Sequence, residues 1–188
     1  MIVYSIPTHS LTVDCCANQE IKQRMASIQL ENQVSEKLIA NLSNKTPHVI
    51  HADRYIKFST PQLGPLPPAI DAGKEVTIPY FVAKGAVVYA GPVINQFGTS
   101  RAWVLAWDTT AEVVIPPRPN NKVYVTCGSK YDIEKMTDDE ILKKLNESTL
   151  PVGSHVDPIT KATIHAELTH LIPDGNALKA SFGQLSCP

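Results

Sequence analysis

Apolar positions along this chain keep two different periods. Between Asp14 and Leu42 they recur at helical spacing, with Ile21, Met25 and Ile28 on one line and Leu30, Val34, Leu38 and Leu42 on a second. The residues between them, among them Gln23, Arg24, Glu31, Gln33, Glu36 and Lys37, are good helix formers. Asp14 or Asn18 can cap the start, and Thr46-Pro47 bars continuation past Asn41–Asn44. An amphipathic helix is therefore predicted over 14–42, after an extended, irregular segment 1–13.

From residue 46 onward the period falls to two, in short runs broken by proline and glycine. Strands are predicted over 48–52, 55–58, 75–82, 86–90, 101–107 and 122–127, with Ile70-Asp-Ala-Gly73 and Gly98-Thr-Ser as turns and two proline clusters, 61–68 and 115–121, as loops. In the run 101–107, Trp103, Leu105 and Trp107 share one face and Ala102, Val104 and Ala106 the other. Both tryptophans of the protein lie here, so the segment Gly85–Trp107 marks a β-core. A second helix is predicted over 137–147. Thr137-Asp-Asp-Glu140 is a capping box, and Asp138 and Asp139 suit the positive helix end. Two strands close the chain. In Lys161–Thr169 the residues Ala162, Ile164, Ala166 and Leu168 are expected to face inward, and Pro173-Asp-Gly-Asn176 signals a hairpin into Leu178–Phe182. The order predicts a mainly β protein: one domain over 1–188, with a leading helix at 14–42 and an antiparallel β-sandwich over 46–188.

The charge balance narrows the function classes. The chain of 188 residues has a net charge of −1, from 17 basic and 18 acidic residues. No Lys/Arg cluster with interleaved aromatics occurs, and no nucleic-acid partner is expected. Met1–His9 has no basic start and no long apolar run, and no stretch approaches the ~18 apolar residues of a membrane span. A cytoplasmic location is expected. The patterns Asn41-Leu-Ser, Asn44-Lys-Thr and Asn146-Glu-Ser match glycosylation acceptors and keep a secretory or vacuolar route open. Of the four cysteines, Cys15, Cys16, Cys127 and Cys187, two are adjacent, which argues for free thiols rather than a disulfide framework.

Candidate chemistry is sparse. His48 and His51 are three apart in a predicted strand and point to opposite faces, His165 faces outward, His170 ends its strand, and His9 and His155 fall in loops. No zinc-type His or Cys spacing exists, so no metal is expected. There is no Gly-x-Ser-x-Gly, no P-loop and no dinucleotide fingerprint, hence no catalytic residue and no cofactor are assigned. Cys127-Gly-Ser admits a nucleophile only with a histidine recruited from elsewhere. Trp107, at a strand exit into Asp108-Thr-Thr, offers an indole for stacking beside a carboxylate, the makings of a ligand groove. The leading helix mixes Lys22, Arg24 and Lys37 with Glu20, Glu31 and Glu36 and lacks Trp or Phe on its apolar face. Docking on the protein's own sheet is favoured, with membrane insertion as the alternative.

The segments Ala86-Val-Val-Tyr-Ala-Gly, Trp103-Val-Leu-Ala-Trp107 and Asn121-Lys-Val-Tyr124 resemble the plant jasmonate-induced protein family of abundant leaf stress proteins. The helix with Arg24-Met25 and the segment Ile39–Thr46 match that family's helix and its Asn-x-Thr strand start. The family is similar in layout to actinoporin-like and aegerolysin-like β-sandwiches, which bind membrane lipids or sugars and in some cases form pores. The resemblance implies a non-enzymatic stress or defence protein that binds a carbohydrate or lipid headgroup at loops on one end of the sandwich. It implies Ser59, Val88 and Asp108 as positions comparable to the headgroup site, beside Trp107. The strand exit reads Asp108-Thr-Thr-Ala-Glu where actinoporins carry tyrosines. The alternative is a membrane-active, pore-forming or insecticidal protein that uses the leading helix. Peripheral membrane contact and a homo-oligomer stay open as partners.

Overall fold

The computed structural model describes residues 38–58, 66–81, 83–93, 100–112, 118–119, 121–171 and 175–185. The chain divides into two units, Met1–Gln33 and Val34–Pro188, and all described residues belong to the second. In chain order the elements are β1 (Leu38–Asn44), β2 (Ile50–Lys57), β3 (Ala69–Ile70), β4 (Glu75–Phe81), β5 (Lys84–Val93) and β6 (Ser100–Asp108). There follow β7 (Ala111–Glu112), β8 (Arg118–Pro119), β9 (Lys122–Ser129), α1 (Lys130–Glu134), α2 (Asp138–Glu147), β10 (Val152–Val156), β11 (Ala162–Leu171) and β12 (Gly175–Gln184). Two five-stranded sheets form a sandwich. The first has the order β10-β11-β12-β1-β4 and the second β3-β2-β5-β6-β9, while β7 and β8 pair by themselves.

The largest departure from the sequence reading is β1. Residues 38–42 were expected to end the leading helix; they form a strand that pairs in parallel with β12 and antiparallel with β4. Leu38, Ala40 and Leu42 are buried and Ile39 is exposed, a period of two. Leu38 and Leu42 alone satisfy a helical period as well, so their spacing cannot choose between the two. The partners on both sides decide. The earlier part of the expected helix, 14–37, lies outside the described residues.

The sandwich core joins the inner faces of both sheets. Leu38, Leu42, Ile164, Leu168, Leu178 and Phe182 from the first meet Ile50, Val87, Tyr89, Trp103, Leu105 and Trp107 from the second. Tyr89 and Phe182 rings lie 5.0 Å apart, and Trp103 and Phe182 6.5 Å apart near perpendicular. Trp103 Nε1 donates across the core to the Gly183 carbonyl at 3.3 Å, so its burial leaves no orphan donor. Each such ring contributes on the order of 2–3 kcal/mol through burial.

The outer face of the second sheet is also covered. Ala86, Val88, Ala90, Ala102, Val104 and Ala106 pack against Ile133 of α1 and Ile141 and Leu145 of α2. The alanines let the helices approach closely. The capping box holds as expected: Glu140 N donates to Thr137 Oγ1 at 3.2 Å and Thr137 N to Glu140 Oε2 at 2.8 Å. Sequence reasoning missed α1, whose five residues are too few to show a period, and β10, whose outward Val152 and Val156 give no burial contrast.

Candidate functional site

One sheet face remains polar. On the outside of the first sheet, register places Ser154, His165, Ser181, Ser43 and Glu75 in one row across all five strands. The next row is Val152, Glu167, Lys179, Asn41 and Thr77. The inward neighbours, Ile164, Ala166, Leu178, Ala180, Ala40 and Leu42, are buried, so strand alternation alone sends these side chains outward. Between the rows lies a groove of about 360 Å³ lined by Asn41, Ser43, Lys45, Glu75, His165, Glu167, Lys179, Ala180 and Ser181. That volume lies within the range of small-molecule sites.

The groove has an unusual floor. Ser43 is only 6 % exposed, and its Oγ is buried without a hydrogen-bond partner. Such an orphan hydroxyl costs about 1–3 kcal/mol, and native proteins carry few of them. Beside it, Thr77 Oγ1 donates to Asn41 Oδ1 at 2.8 Å, which leaves the Asn41 amide nitrogen as a donor for another group. His165 Nδ1 and Ser154 Oγ lie 2.7 Å apart at the rim. A Cβ at Gly183 would come within 2.6 Å of Thr163 Oγ1, so glycine lets Thr163 lean over the end of this face.

Charges around the groove balance, with Lys45 and Lys179 against Glu75 and Glu167. Glu167 stands directly opposite Lys179 on the neighbouring strand. Glu75 and Glu167 are three strands apart in the sheet order, roughly 14 Å at the usual strand spacing.

The residues singled out from sequence do not converge. Trp107 is fully buried between the sheets, and Val88 lies on the opposite face of the second sheet, under the helices. Asp108 is 2 % exposed and engaged: Lys84 Nζ stands 2.8 Å from Oδ2, and Thr110 donates to Oδ1 from its amide at 3.0 Å and its hydroxyl at 2.6 Å. Ser59 lies outside the described residues. The indole signal at 103–107 therefore reports packing, and no surface of the described residues gathers the three placed positions. The groove was missed because its residues come from four strands distant in sequence.

Cys127 does meet a histidine. His155, read as a loop residue, sits in β10 at the seam where the edges of the two sheets adjoin, and its Nδ1 is 3.4 Å from Cys127 Sγ. That nitrogen accepts the Cys127 amide hydrogen at 3.1 Å, and Sγ faces the Ala162 carbonyl at 3.2 Å. Burial pushes the thiol up to about 11. A protonated thiol donating to a carbonyl, beside an imidazole whose lone pair is engaged, is a packing arrangement rather than an activated nucleophile. Among the described residues no group of three His, Cys, Asp or Glu side chains could hold a metal.

No family model matches this chain, and no curated protein is similar to it in sequence. Solved structures are similar in fold. One is the lipid binding protein Nakanori, with a TM-score of 0.59 and 13 % identity over 89 % of this chain and 80 % of that one. Another is the Xerocomus chrysenteron lectin XCL. A variant of it has a TM-score of 0.44 with 7 % identity over 79 % of this chain and 97 % of that one. The wild-type form has 0.41 and 8 % over 78 % and 99 %. These neighbours are a lipid-binding protein and a lectin, and what this chain shares with Nakanori is the fold of the sandwich.

Proposed function

We propose that this is a non-enzymatic binding protein whose ligand, a carbohydrate or a lipid headgroup, seats in the polar groove of the first sheet. The observation that carries the reading is Ser43: a buried, unpartnered hydroxyl beneath a groove otherwise ringed by exposed donors and acceptors. A binding surface also accounts for the asymmetry of the sandwich, in which the second sheet is covered on both faces and the first presents charged and hydroxyl side chains. The same fold supports lipid binding in Nakanori. A defence or stress role in a plant rests on the sequence resemblance alone. The test is binding of the intact chain to a glycan array and to phosphatidylcholine and phosphatidylserine vesicles, repeated with Lys179→Met and His165→Ala. Binding that falls in both variants supports the reading; binding unchanged in both removes the groove from it.

A second reading, contact with a membrane surface, draws on one end of the sandwich. Arg101 Nε donates to the Thr160 carbonyl at 2.6 Å and Nη1 to Gln184 Oε1 at 2.5 Å, and the exposed Ile159 and Leu185 adjoin these two partners along the chain, while exposed Val93 pairs with Ser100 beside Arg101. Ile159 is 87 % exposed. Residues 38–42 of the expected mobile helix are ladder-bonded on both sides, so a mobile element would have to end before β1. Release of calcein from liposomes by the wild type but not by Ile159→Ser is the expected mark of this reading. Vesicles that stay intact at micromolar protein count against it.

A further inference from the structure

We infer that the groove is built for a neutral, hydroxyl-rich ring, a saccharide unit, and that Ser43 reads one of its hydroxyls. The inference rests on the groove being the binding site, as proposed above, and names the chemical class of what it holds.

The orphan hydroxyl is the first ground. Ser43 Oγ can donate one hydrogen bond and accept others, and it does neither within the protein. A sugar hydroxyl has the same dual character and can satisfy it in either direction. A phosphate oxygen only accepts, and a quaternary ammonium offers no donor or acceptor at all. The second ground is charge. Sites for phosphate gather Arg, Lys or amide donors. Here Glu75 and Glu167 offset Lys45 and Lys179, and Glu167 lies on the strand neighbour of Lys179. A phosphate placed between the lysines would also face both carboxylates. The third ground is the absence of any Trp, Tyr or Phe among the described residues that line the groove. Recognition of choline-type cations relies on aromatic cages. What the groove does offer is a mixed set of amide, hydroxyl, imidazole, carboxylate and ammonium groups, which suits a ring carrying hydroxyls on several sides.

The floor position makes the inference testable. Removing an unpartnered hydroxyl leaves no other group orphaned, so Ser43→Ala does not lower the stability of the free protein. The same change deletes a hydrogen bond to the ligand. Isothermal titration of the intact chain with neutral oligosaccharides identified on a glycan array should show Ser43→Ala weakening affinity by about threefold to tenfold. Its melting temperature should equal or exceed that of the wild type. Phosphatidylcholine vesicles, phosphatidylserine vesicles and sialylated glycans serve as the competing probes. Neutral-glycan binding that is unaffected by Ser43→Ala overturns the inference. Binding only to vesicles, lost in Lys179→Met, overturns the saccharide assignment while the groove keeps its role. No binding to any glycan or vesicle overturns both.

Discussion

Asn44 gives a sharp test of how the groove is held in shape. It closes β1, is fully buried, and its side chain locks the corner between β1, β2 and β3. Nδ2 donates to the carbonyls of His48 (2.7 Å), Ile70 (2.9 Å) and Asp71 (3.1 Å), and Oδ1 accepts from the Thr46 amide at 2.9 Å and hydroxyl at 2.8 Å. The corner sets the position of Lys45 at the groove rim. Asn44→Ala leaves the buried Thr46 amide without a partner and removes the side-chain donor shared by the His48, Ile70 and Asp71 carbonyls. With about 1–3 kcal/mol for the orphaned amide and about 1 kcal/mol for the lost side-chain bonds, a loss of about 2–4 kcal/mol is expected. For a unit of this size that corresponds to roughly 5–15 °C in Tm. Urea unfolding followed by tryptophan fluorescence reads it directly, because both indoles sit in the core. Asn44→Asp adds a pH signature. The introduced carboxylate would face the three carbonyls in a buried site, so its folded pKa lies above the unfolded value of about 3.9. A raised folded pKa gives stability present below the unfolded value and lost as pH rises through the folded one. Asn44→Asp should therefore be closest to the wild type in acid and fall away toward neutrality. An Asn44→Ala variant within about 0.5 kcal/mol of the wild type would refute the reasoning. The same burial means that Asn44-Lys-Thr, which reads as a glycosylation acceptor, cannot receive a glycan on the folded chain.

Trp107→Ala should cost about 3–5 kcal/mol in a denaturant titration, as expected for a large side chain removed from a core. Near-wild-type stability with lost ligand affinity would return Trp107 to a ligand-contacting role. Cys127, with its thiol pushed up to about 11 by burial, should resist iodoacetamide near pH 7.5 unless the protein is unfolded. Labelling of the native protein at the rate of a free thiol contradicts that. Burial works to raise the Asp157 carboxyl, yet the Thr160 hydroxyl and amide that donate to it hold it below its ordinary value. The stability it contributes is present above the unfolded value near pH 4 and disappears as pH falls through the lower folded value. Asp157→Asn should accordingly be less stable than the wild type at pH 6, with the gap closing in acid. A gap independent of pH rules out this origin.

Much of the sandwich is readable from the chain because strand alternation is local. Trp103, Leu105 and Trp107 divide from Ala102, Val104 and Ala106 as the alternation predicts. The structure adds why both sets are apolar: one faces the other sheet and the other lies under α1 and α2. The inward run Ala162, Ile164, Ala166 and Leu168 and the capping box at Thr137 are likewise local signals with local causes. The start of the sandwich was not readable, since Leu38, Ala40 and Leu42 become a strand only through β12 and β4, which lie far along the chain. The groove follows from that same non-local pairing. Asn41 and Ser43 next to Lys179 and Ser181 have no motif, and their placement depends on a parallel register that no short segment encodes. Large aromatic residues drew the sequence reading toward Trp107, yet in a sheet they report the core, and the polar face was less conspicuous.

The most direct test of the groove is an amide chemical-shift map of the intact chain titrated with the tightest-binding glycan or short-chain lipid from the binding screen. The largest shifts are predicted at Asn41, Ser43, Lys179 and Ser181, with little change at Trp107 and Asp108. Shifts concentrated at the strand exit around Asp108, or at Val93, Ile159 and Leu185, with the groove silent, would contradict the account.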